Sequence, residues 1–208
     1  QCRLQGVLRF GAFTPPAYDI MGPFRFAPFM ECRHSVFSLR HRVDGWLSVN
    51  GETLRFRGSS GYMEGDRGVS FPSRYIWTQC GWNGNCVMLS VADIPFFGGS
   101  FTGCIGSVFL NGKERRFATY LGVKLLHVSA GAVSLRQGDW TLQARLLESR
   151  PSPLYAPRAG GMTRTIRQSA SCRARYTCTA GKDTLFDFTS EQASFESNWS
   201  DDDEPFAR

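Results

Sequence analysis

The sequence predicts an all-β protein, and three features carry that prediction. Short segments alternate apolar and polar side chains, as residues 35–43 do, which is the period of a strand with one buried face. Glycine turn signals follow such segments at Asp44-Gly45, Asn50-Gly51 and Asn111-Gly112, where a two-residue hairpin requires positive φ. No long segment has helical periodicity. Regularly spaced short strands joined in this way are typical of a β-barrel or a β-sandwich.

The predicted strands follow one another through most of the chain, and the glycine turns connect several of them. Residues 149–162, which hold three prolines and a Gly-Gly pair, are predicted to form an irregular crossing loop. The polar, acidic sequence after Phe188 is predicted to fray. The predicted strands are residues 35–43, 46–49, 52–58, 86–94, 101–110, 113–120, 123–129, 132–137, 139–147, 172–179 and 183–188.

Charge is unevenly distributed along the 208 residues, whose formal net charge is +6. Residues 191–208 hold six of the 18 acidic residues, so the rest of the chain is strongly basic. Most basic residues are arginines that alternate with apolar residues, as Arg40 and Arg42 do. Such alternation spreads charge over sheet faces instead of concentrating it, so nucleic acid is not an expected partner.

The seven cysteines include no C-x-x-C pair and no zinc-ligand spacing. They are expected to be buried free thiols in a reducing compartment, which favours the cytoplasm. The sequence contains no run of about 18 apolar residues, the length that a membrane-spanning helix requires. The sequence also lacks a nucleophile elbow and a phosphate-binding loop, so neither a metal nor a cofactor is predicted.

Three segments interrupt the strand pattern and place carboxylates among large apolar side chains. They are residues 19–34, 61–72 and 92–99. A carboxyl group in such surroundings is either paired with a base or driven toward its neutral form by desolvation. The first case is a structural ion pair, and the second is the environment of a proton donor to an alkene. The residues alone leave both interpretations open.

The run GYMEGDRGVSFPSRYIWTQC at residues 61–80 resembles the signature of the tocopherol cyclase-like family. Further blocks follow the family's order, and together they cover roughly residues 17–200. The resemblance is to the bacterial branch, and the chain departs from the pattern of the plant enzymes. The other blocks are FMECRHSVFSL, SVADIPFFG with FTGCIG, NGKERRFATY, and YAPRAGGMTRTI.

The resemblance implies a lipocalin-like fold in which two antiparallel β-barrels pack around apolar cavities. Residues 1–72 would be the remainder of an incomplete first barrel with the signature loop, and residues 73–190 the second barrel. Residues 191–208 would be an acidic, flexible tail. An exposed edge strand is expected where the first barrel is incomplete.

The resemblance also implies a cofactor-free cyclisation of a prenylated hydroquinone or related isoprenoid to a chromanol-type ring. A proton is added to the prenyl double bond, and the phenolic oxygen captures the cation. Asp66 or Glu64 is the hypothetical acid, because both lie in the signature run. The hypothetical substrate-binding residues are Tyr62, Tyr75, Trp77 and Gln79 on the cavity wall, Arg33 and His34 to orient the phenol, and Glu31 and Asp93 as further carboxylates.

Two other classes of function remain open at this stage. The same barrel could bind or carry a lipid, quinone or isoprenoid without changing it, because fold does not fix function. A structural or interaction module is the third class, suggested by the expected edge strand and the acidic tail. For the cyclase and for the carrier, the partner is an apolar small molecule. Peripheral contact with the membrane that dissolves this molecule is a further expectation.

Overall fold

The computed structural model describes residues 2–28, 30–96 and 98–200, and these residues form an almost entirely antiparallel β structure. The predicted all-β class of antiparallel strands is confirmed. Two short 3-10 helices occupy Gly22–Phe26 and Thr119–Leu121. The strands are β1 (Leu4–Phe10), β2 (Cys32–Val49), β3 (Glu52–Gly68), β4 (Tyr75–Trp82), β5 (Asn85–Phe96), β6 (Gly99–Leu110), β7 (Lys113–Ala118), β8 (Lys124–Ser129), β9 (Ala132–Gln137), β10 (Trp140–Glu148), β11 (Ser152–Arg158), β12 (Gly161–Ala180) and β13 (Asp183–Ser197).

The strands form two sheets. Strands β1, β2 and β3 make a three-stranded sheet in that order. The second sheet has ten strands in the order β7-β6-β5-β4-β13-β12-β10-β9-β8, with β11 paired to β12 beside this path. The small sheet ends at Gly68 and the large one begins at Tyr75. No helix in the described part of the chain is long and apolar enough to cross a membrane.

The main core lies inside the large sheet, where alternate side chains of neighbouring strands meet. Leu89, Phe117, Leu135 and Leu142 are fully buried there. Tyr176 is also fully buried, and its hydroxyl lies 2.5 Å from Oγ1 of Thr78, so this buried hydroxyl has a hydrogen-bond partner. Burying each large apolar side chain contributes about 1.5–3 kcal/mol, so the large sheet carries most of the stability.

A buried glutamine connects the two ends of the large sheet. Gln137 on β9 accepts a hydrogen bond from the backbone N–H of Ala118 at 3.1 Å and donates one to the carbonyl of Arg116 at 2.9 Å. Both partners belong to β7, which stands at the opposite end of the strand order from β8 and β9. The side chain therefore bridges the gap where the sheet curls back on itself.

We expect Gln137→Ala to lower the free energy of unfolding by about 2–4 kcal/mol, because it leaves the Ala118 N–H and the Arg116 carbonyl without their side-chain partner. Urea denaturation followed by circular dichroism measures the change. Gln143→Ala, at an exposed position of neighbouring β10, is the matched control and should cost less than about 0.5 kcal/mol. Equal losses in the two variants would mean that the bridge does not hold the sheet ends together.

Two of the three predicted glycine turns are confirmed and one is wrong. Asn50-Gly51 and Asn111-Gly112 are hairpin turns with positive φ at both residues. Asp44-Gly45 instead lies inside β2, where Gly45 has φ +129° beside a register shift. A Cβ at Gly45 would lie 2.0 Å from the carbonyl oxygen of Val7, so glycine there permits β1 to approach. Asn83-Gly84, which the sequence interpretation missed, forms a third positive-φ turn between β4 and β5.

The segments expected to interrupt the strands are largely strands themselves. Residues 61–68, expected as a loop, complete β3 and pair with β2. A Cβ on Gly61 would meet the His41 ring at 2.4 Å, so its glycine serves packing rather than a turn. Residues 92–96 likewise complete β5. Most of 149–162 forms β11 and its turn, because β11 pairs with β12 alone among the described strands and an edge strand tolerates prolines.

The predicted boundary of a flexible tail at residue 191 is also wrong. Strand β13 continues to Ser197, where it pairs with both β12 and β4. Ala193 and Phe195 are buried in the core, and burial of these side chains explains why the strand continues. Residues 201–208 of the predicted tail lie outside the described residues.

Candidate functional site

A cavity of about 310 Å³ lies between the two sheets. The small sheet contributes side chains of β2 and β3, and the large sheet contributes side chains of β4, β5, β6, β11, β12 and β13. Most of the wall is apolar or aromatic, which suits a small apolar ligand. The lining residues include Cys32, His34, Glu64, Asp66, Tyr75, Trp77, Ala92, Phe101, Gly103, Leu154, Tyr155, Ile166 and Glu196.

His34 stands between the two carboxylates of the signature run. Its Nδ1 lies 3.0 Å from Oδ1 of Asp66, which is its direct cross-strand neighbour. Its Nε2 lies 3.2 Å from Oε2 of Glu64. This contact has the distance of an ion pair but not the geometry of a hydrogen bond. Burial lowers the pKa of His34, but the hydrogen bond to Asp66 and the charges of Glu64 and Asp66 outweigh it and raise the pKa to about 9. At neutral pH the site therefore holds an imidazolium between two carboxylates.

Besides His34, two hydrogen-bond donors hold the carboxyl group of Glu64 in place. The Tyr62 hydroxyl donates to Oε2 at 2.5 Å, and Nε1 of Trp77 donates to the same oxygen at 3.2 Å. With His34 adjacent, three polar groups surround one carboxylate oxygen. Burial, followed by the charge of Glu64, raises the pKa of Tyr62, so its hydroxyl remains a donor. This arrangement orients Glu64 as an acceptor.

Glu196 is a cavity carboxyl group that the sequence interpretation missed. It is 7% exposed, and the Tyr75 hydroxyl donates a hydrogen bond to its Oε1. Burial raises the pKa of Glu196 most; the hydrogen bond from Tyr75 opposes that shift, while the nearby charges of Asp66 and Glu64 reinforce it. Phe195 and Trp199 beside it were the available signal, because large aromatic residues in a supposed tail indicate burial.

The structure brings five of the ten predicted site residues to the cavity wall: His34, Glu64, Asp66, Tyr75 and Trp77. Tyr62 contacts Glu64 from behind the wall. Gln79 is two positions beyond Trp77 on the same strand, but its amide lies 3.7 Å from the Cys86 sulfur and does not line the cavity.

The other three predicted residues, Glu31, Arg33 and Asp93, do not line this cavity. The side chain of Arg33 donates to the carbonyl oxygens of Arg25 and Ala27 and so holds the end of the first 3-10 helix. Glu31 is exposed. Asp93 pairs with Nε of Arg74 at 2.6 Å and accepts from Thr102 at 2.7 Å. For Asp93, the structural ion pair is the correct interpretation.

The described cysteines are all free thiols, and Cys80, Cys86, Cys104, Cys172 and Cys178 are buried. Cys32, on the cavity wall, lies with its sulfur 3.6 Å from Oδ1 of Asp66. Burial, followed by the charge of Asp66, raises the pKa of Cys32 to about 12. Its thiol is therefore a neutral wall group rather than a nucleophile.

No protein-family model matches the sequence, and no curated protein matches it. Among solved structures, kievitone hydratase from Nectria haematococca is similar in backbone, with a TM-score of 0.49 and 10% sequence identity. The alignment covers 81% of this chain and 53% of that one, so the chain spans about half the length of that enzyme. At this sequence identity the likeness concerns the course of the backbone alone and says nothing about the cavity residues.

Proposed function

We propose that the protein closes a chromanol-type ring on a prenylated hydroquinone or related isoprenoid, as its resemblance to tocopherol cyclase-like sequences implies. The observation that carries the proposal is a single apolar cavity that holds Glu196, a buried carboxyl group whose pKa is raised, and separately the two carboxyl groups of Glu64 and Asp66 around the His34 imidazolium. Acid-promoted ring closure requires both kinds of group in one place that excludes water.

The reaction is an isomerisation, so its atoms balance within the substrate. A proton adds to one carbon of the prenyl double bond and leaves a tertiary cation on the other. The phenolic oxygen then forms a C–O bond to that cation and loses its own proton to a base. Exchange with water restores the acid and the base, and no redox step is involved. Aromatic faces such as Trp77 and Phe101 can stabilise the cation.

The hydrogen bonds support a division of labour among the carboxyl groups. Glu64 and Asp66 were the hypothetical acids, but Tyr62, Trp77 and His34 already direct donors at their oxygens, an arrangement that suits a proton acceptor. Glu196 has its protonated form favoured by burial and is the better acid. In this proposal Glu196 protonates the alkene, and the Glu64–His34–Asp66 group receives the phenolic proton.

The cavity volume limits the substrate. About 310 Å³ lies at the lower end of the range for ligand pockets, enough for the aromatic ring and the reacting isoprene unit. A longer prenyl tail would leave past Leu154 and Tyr155, which border the cavity at the edge of the large sheet.

Incubation with a short-chain prenylated hydroquinone tests the proposal, with the ring-closed isomer identified by mass and NMR. Glu64→Gln and Asp66→Asn should each lower kcat by about a hundredfold or more. Glu52→Gln, an exposed position on the same strand, is the matched control and should retain full turnover. Unchanged turnover in both cavity variants would remove these carboxylates from the mechanism. A product heavier by one water would show that water, not the phenol, captures the cation.

Non-catalytic binding or carriage of the same apolar molecules is the alternative, favoured by the mainly apolar wall. Native mass spectrometry of the purified protein distinguishes the two. A retained, uncyclised ligand with no product over long incubation would support a carrier. The buried free thiols fit a reducing compartment, which supports the cytoplasm as the place of action.

A further inference from the structure

The hairpin of β11 and β12 combines a border of the cavity with an exposed apolar surface. Leu154 and Ile166, which are cross-strand neighbours, line the cavity. On the same hairpin Tyr155 is 76% exposed and Met162 is 62% exposed. These are among the most exposed large apolar side chains of the described residues, and they stand on the two strands of one hairpin.

The end of the hairpin is held against the segment that follows β3. The backbone N–H of Gly160 donates to the carbonyl of Val69 at 2.7 Å, and that of Ala159 donates to the Ser70 hydroxyl at 2.8 Å. Val69 is itself 52% exposed. The exposed apolar side chains of the hairpin and of Val69, the apolar surface of this region, therefore stand on backbone segments that hydrogen bonds hold together.

The hairpin is also purely basic. Residues 149–168 contain four arginines and no acidic residue. Arg164 is used internally, since it donates to the carbonyl oxygens of Phe71, Pro72 and Ser73. Arg158 and Arg167 are exposed, and neither forms an ion pair with any residue that the structure describes. Positive charge thus flanks the apolar surface without a counter-charge of its own.

We propose that this hairpin docks the protein on a bilayer that contains anionic lipids. Tyr155 and Met162 enter the interface, and Arg158 and Arg167 contact the lipid phosphates. The charge complementarity and the exposed tyrosine fit a lipid surface, where an aromatic ring lies at headgroup level and arginines remain beside it. A nucleic acid would use the arginines but would not require Met162. The benefit of docking rests on the proposed function, because a prenylated substrate dissolves in the membrane beside the cavity.

Flotation with lipid vesicles tests the docking without any assay of turnover. Vesicles of phosphatidylcholine alone are compared with vesicles in which phosphatidylglycerol makes up about one third of the lipid. The wild-type protein should bind the anionic vesicles at least about tenfold more tightly, and added salt should weaken this binding. Absence of binding to the anionic vesicles would overturn the proposal.

Two pairs of substitutions locate the surface, each checked for folding by its thermal melt. Tyr155→Ser with Met162→Ser, and Arg158→Glu with Arg167→Glu, should each weaken binding to anionic vesicles by about tenfold or more. The controls are Leu126→Ser on β8 and Arg136→Glu with Arg145→Glu on β9 and β10, all exposed. Equal losses in controls and hairpin variants would overturn the assignment.

Two further readouts separate docking from other partners and from chemistry. Loss of binding in the arginine pair alone, with the Tyr155 and Met162 pair unchanged, would indicate a general polyanion surface and contradict bilayer docking. The arginine pair should keep full turnover of detergent-dispersed substrate, since neither residue lines the cavity. Failure of the proposed function would therefore leave the flotation result intact.

Discussion

Glu196→Gln is expected to lower kcat by about a hundredfold to ten-thousandfold, because it removes the proton that starts ring closure. The substitution keeps the shape of the side chain, and the amide oxygen can still accept the hydrogen bond from Tyr75. The fold and the affinity for the substrate should therefore change little. Single-turnover kinetics with a prenylated hydroquinone separates the chemical step from binding.

The matched control for this variant is Glu191→Gln. Glu191 lies on the same strand but is exposed and pairs with Arg173 outside the cavity. Its removal should leave turnover unchanged. If Glu196→Gln also retained full turnover while Glu64→Gln lost it, Glu64 would be the acid and the assigned division of labour would be reversed.

The pH profile of turnover gives the same assignment an independent check. Burial raises the pKa of Glu196, so its acidic form persists to higher pH than an exposed glutamate allows. Turnover should fall as pH rises through that raised pKa and should be restored as pH is lowered.

The second large effect concerns stability, which is expected to fall as pH rises from 6.5 toward 9. The folded protein keeps the proton on His34 up to a pKa of about 9, whereas the unfolded chain releases it near 6.5. Between these values the native state binds more protons than the unfolded state, so the free energy of unfolding decreases with pH. The contribution of His34 is fully present below pH 6.5, and its loss is on the order of 3 kcal/mol.

Urea unfolding at steps of pH, for the wild-type protein and His34→Gln, measures this contribution. The variant should be less stable near pH 6.5, because Glu64 and Asp66 then face each other without the imidazolium. It should also lack the decrease between 6.5 and 9. Buried thiols lower stability in the upper part of this range in both proteins, so the difference between the two profiles isolates His34. Parallel profiles would show that His34 is not an imidazolium in the folded state.

Local pattern predicted many of the strands, and half of the site residues to which the resemblance pointed line the cavity. Residues two apart in a strand share a face, so Glu64 with Asp66, and Tyr75 with Trp77, enter the cavity together. The same rule failed for Gln79, because alternation predicts which face a residue occupies and not where along the strand the cavity ends.

Glu196 could not be placed by any local pattern. Its partner Tyr75 is 121 positions away, and the two meet only because β13 returns to pair with β4. Gly45 and Gly61 illustrate the same limit. Gly45 was predicted as a turn glycine and Gly61 as part of a segment that interrupts the strands, yet each sits inside a strand where a Cβ would collide with a neighbouring strand. Such close approaches are set by the pairing of distant segments.

The cavity as a binding site for an apolar ligand is the claim on which the account depends, and a cavity-filling variant tests it most directly. Ala92 lines the cavity on β5, beside Gly103 on β6, so Ala92→Phe places a ring in the open volume. Ala170→Phe adds the same ring at an exposed position of β12 and serves as the control.

The measurement is the dissociation constant of a prenylated hydroquinone for these three proteins, by isothermal titration. The account predicts one site in the wild-type protein and in Ala170→Phe, and binding weakened by about tenfold or more in a folded Ala92→Phe. Equal affinity in all three folded proteins would contradict it, because the ligand would then bind somewhere other than the cavity that holds His34, Glu64 and Glu196.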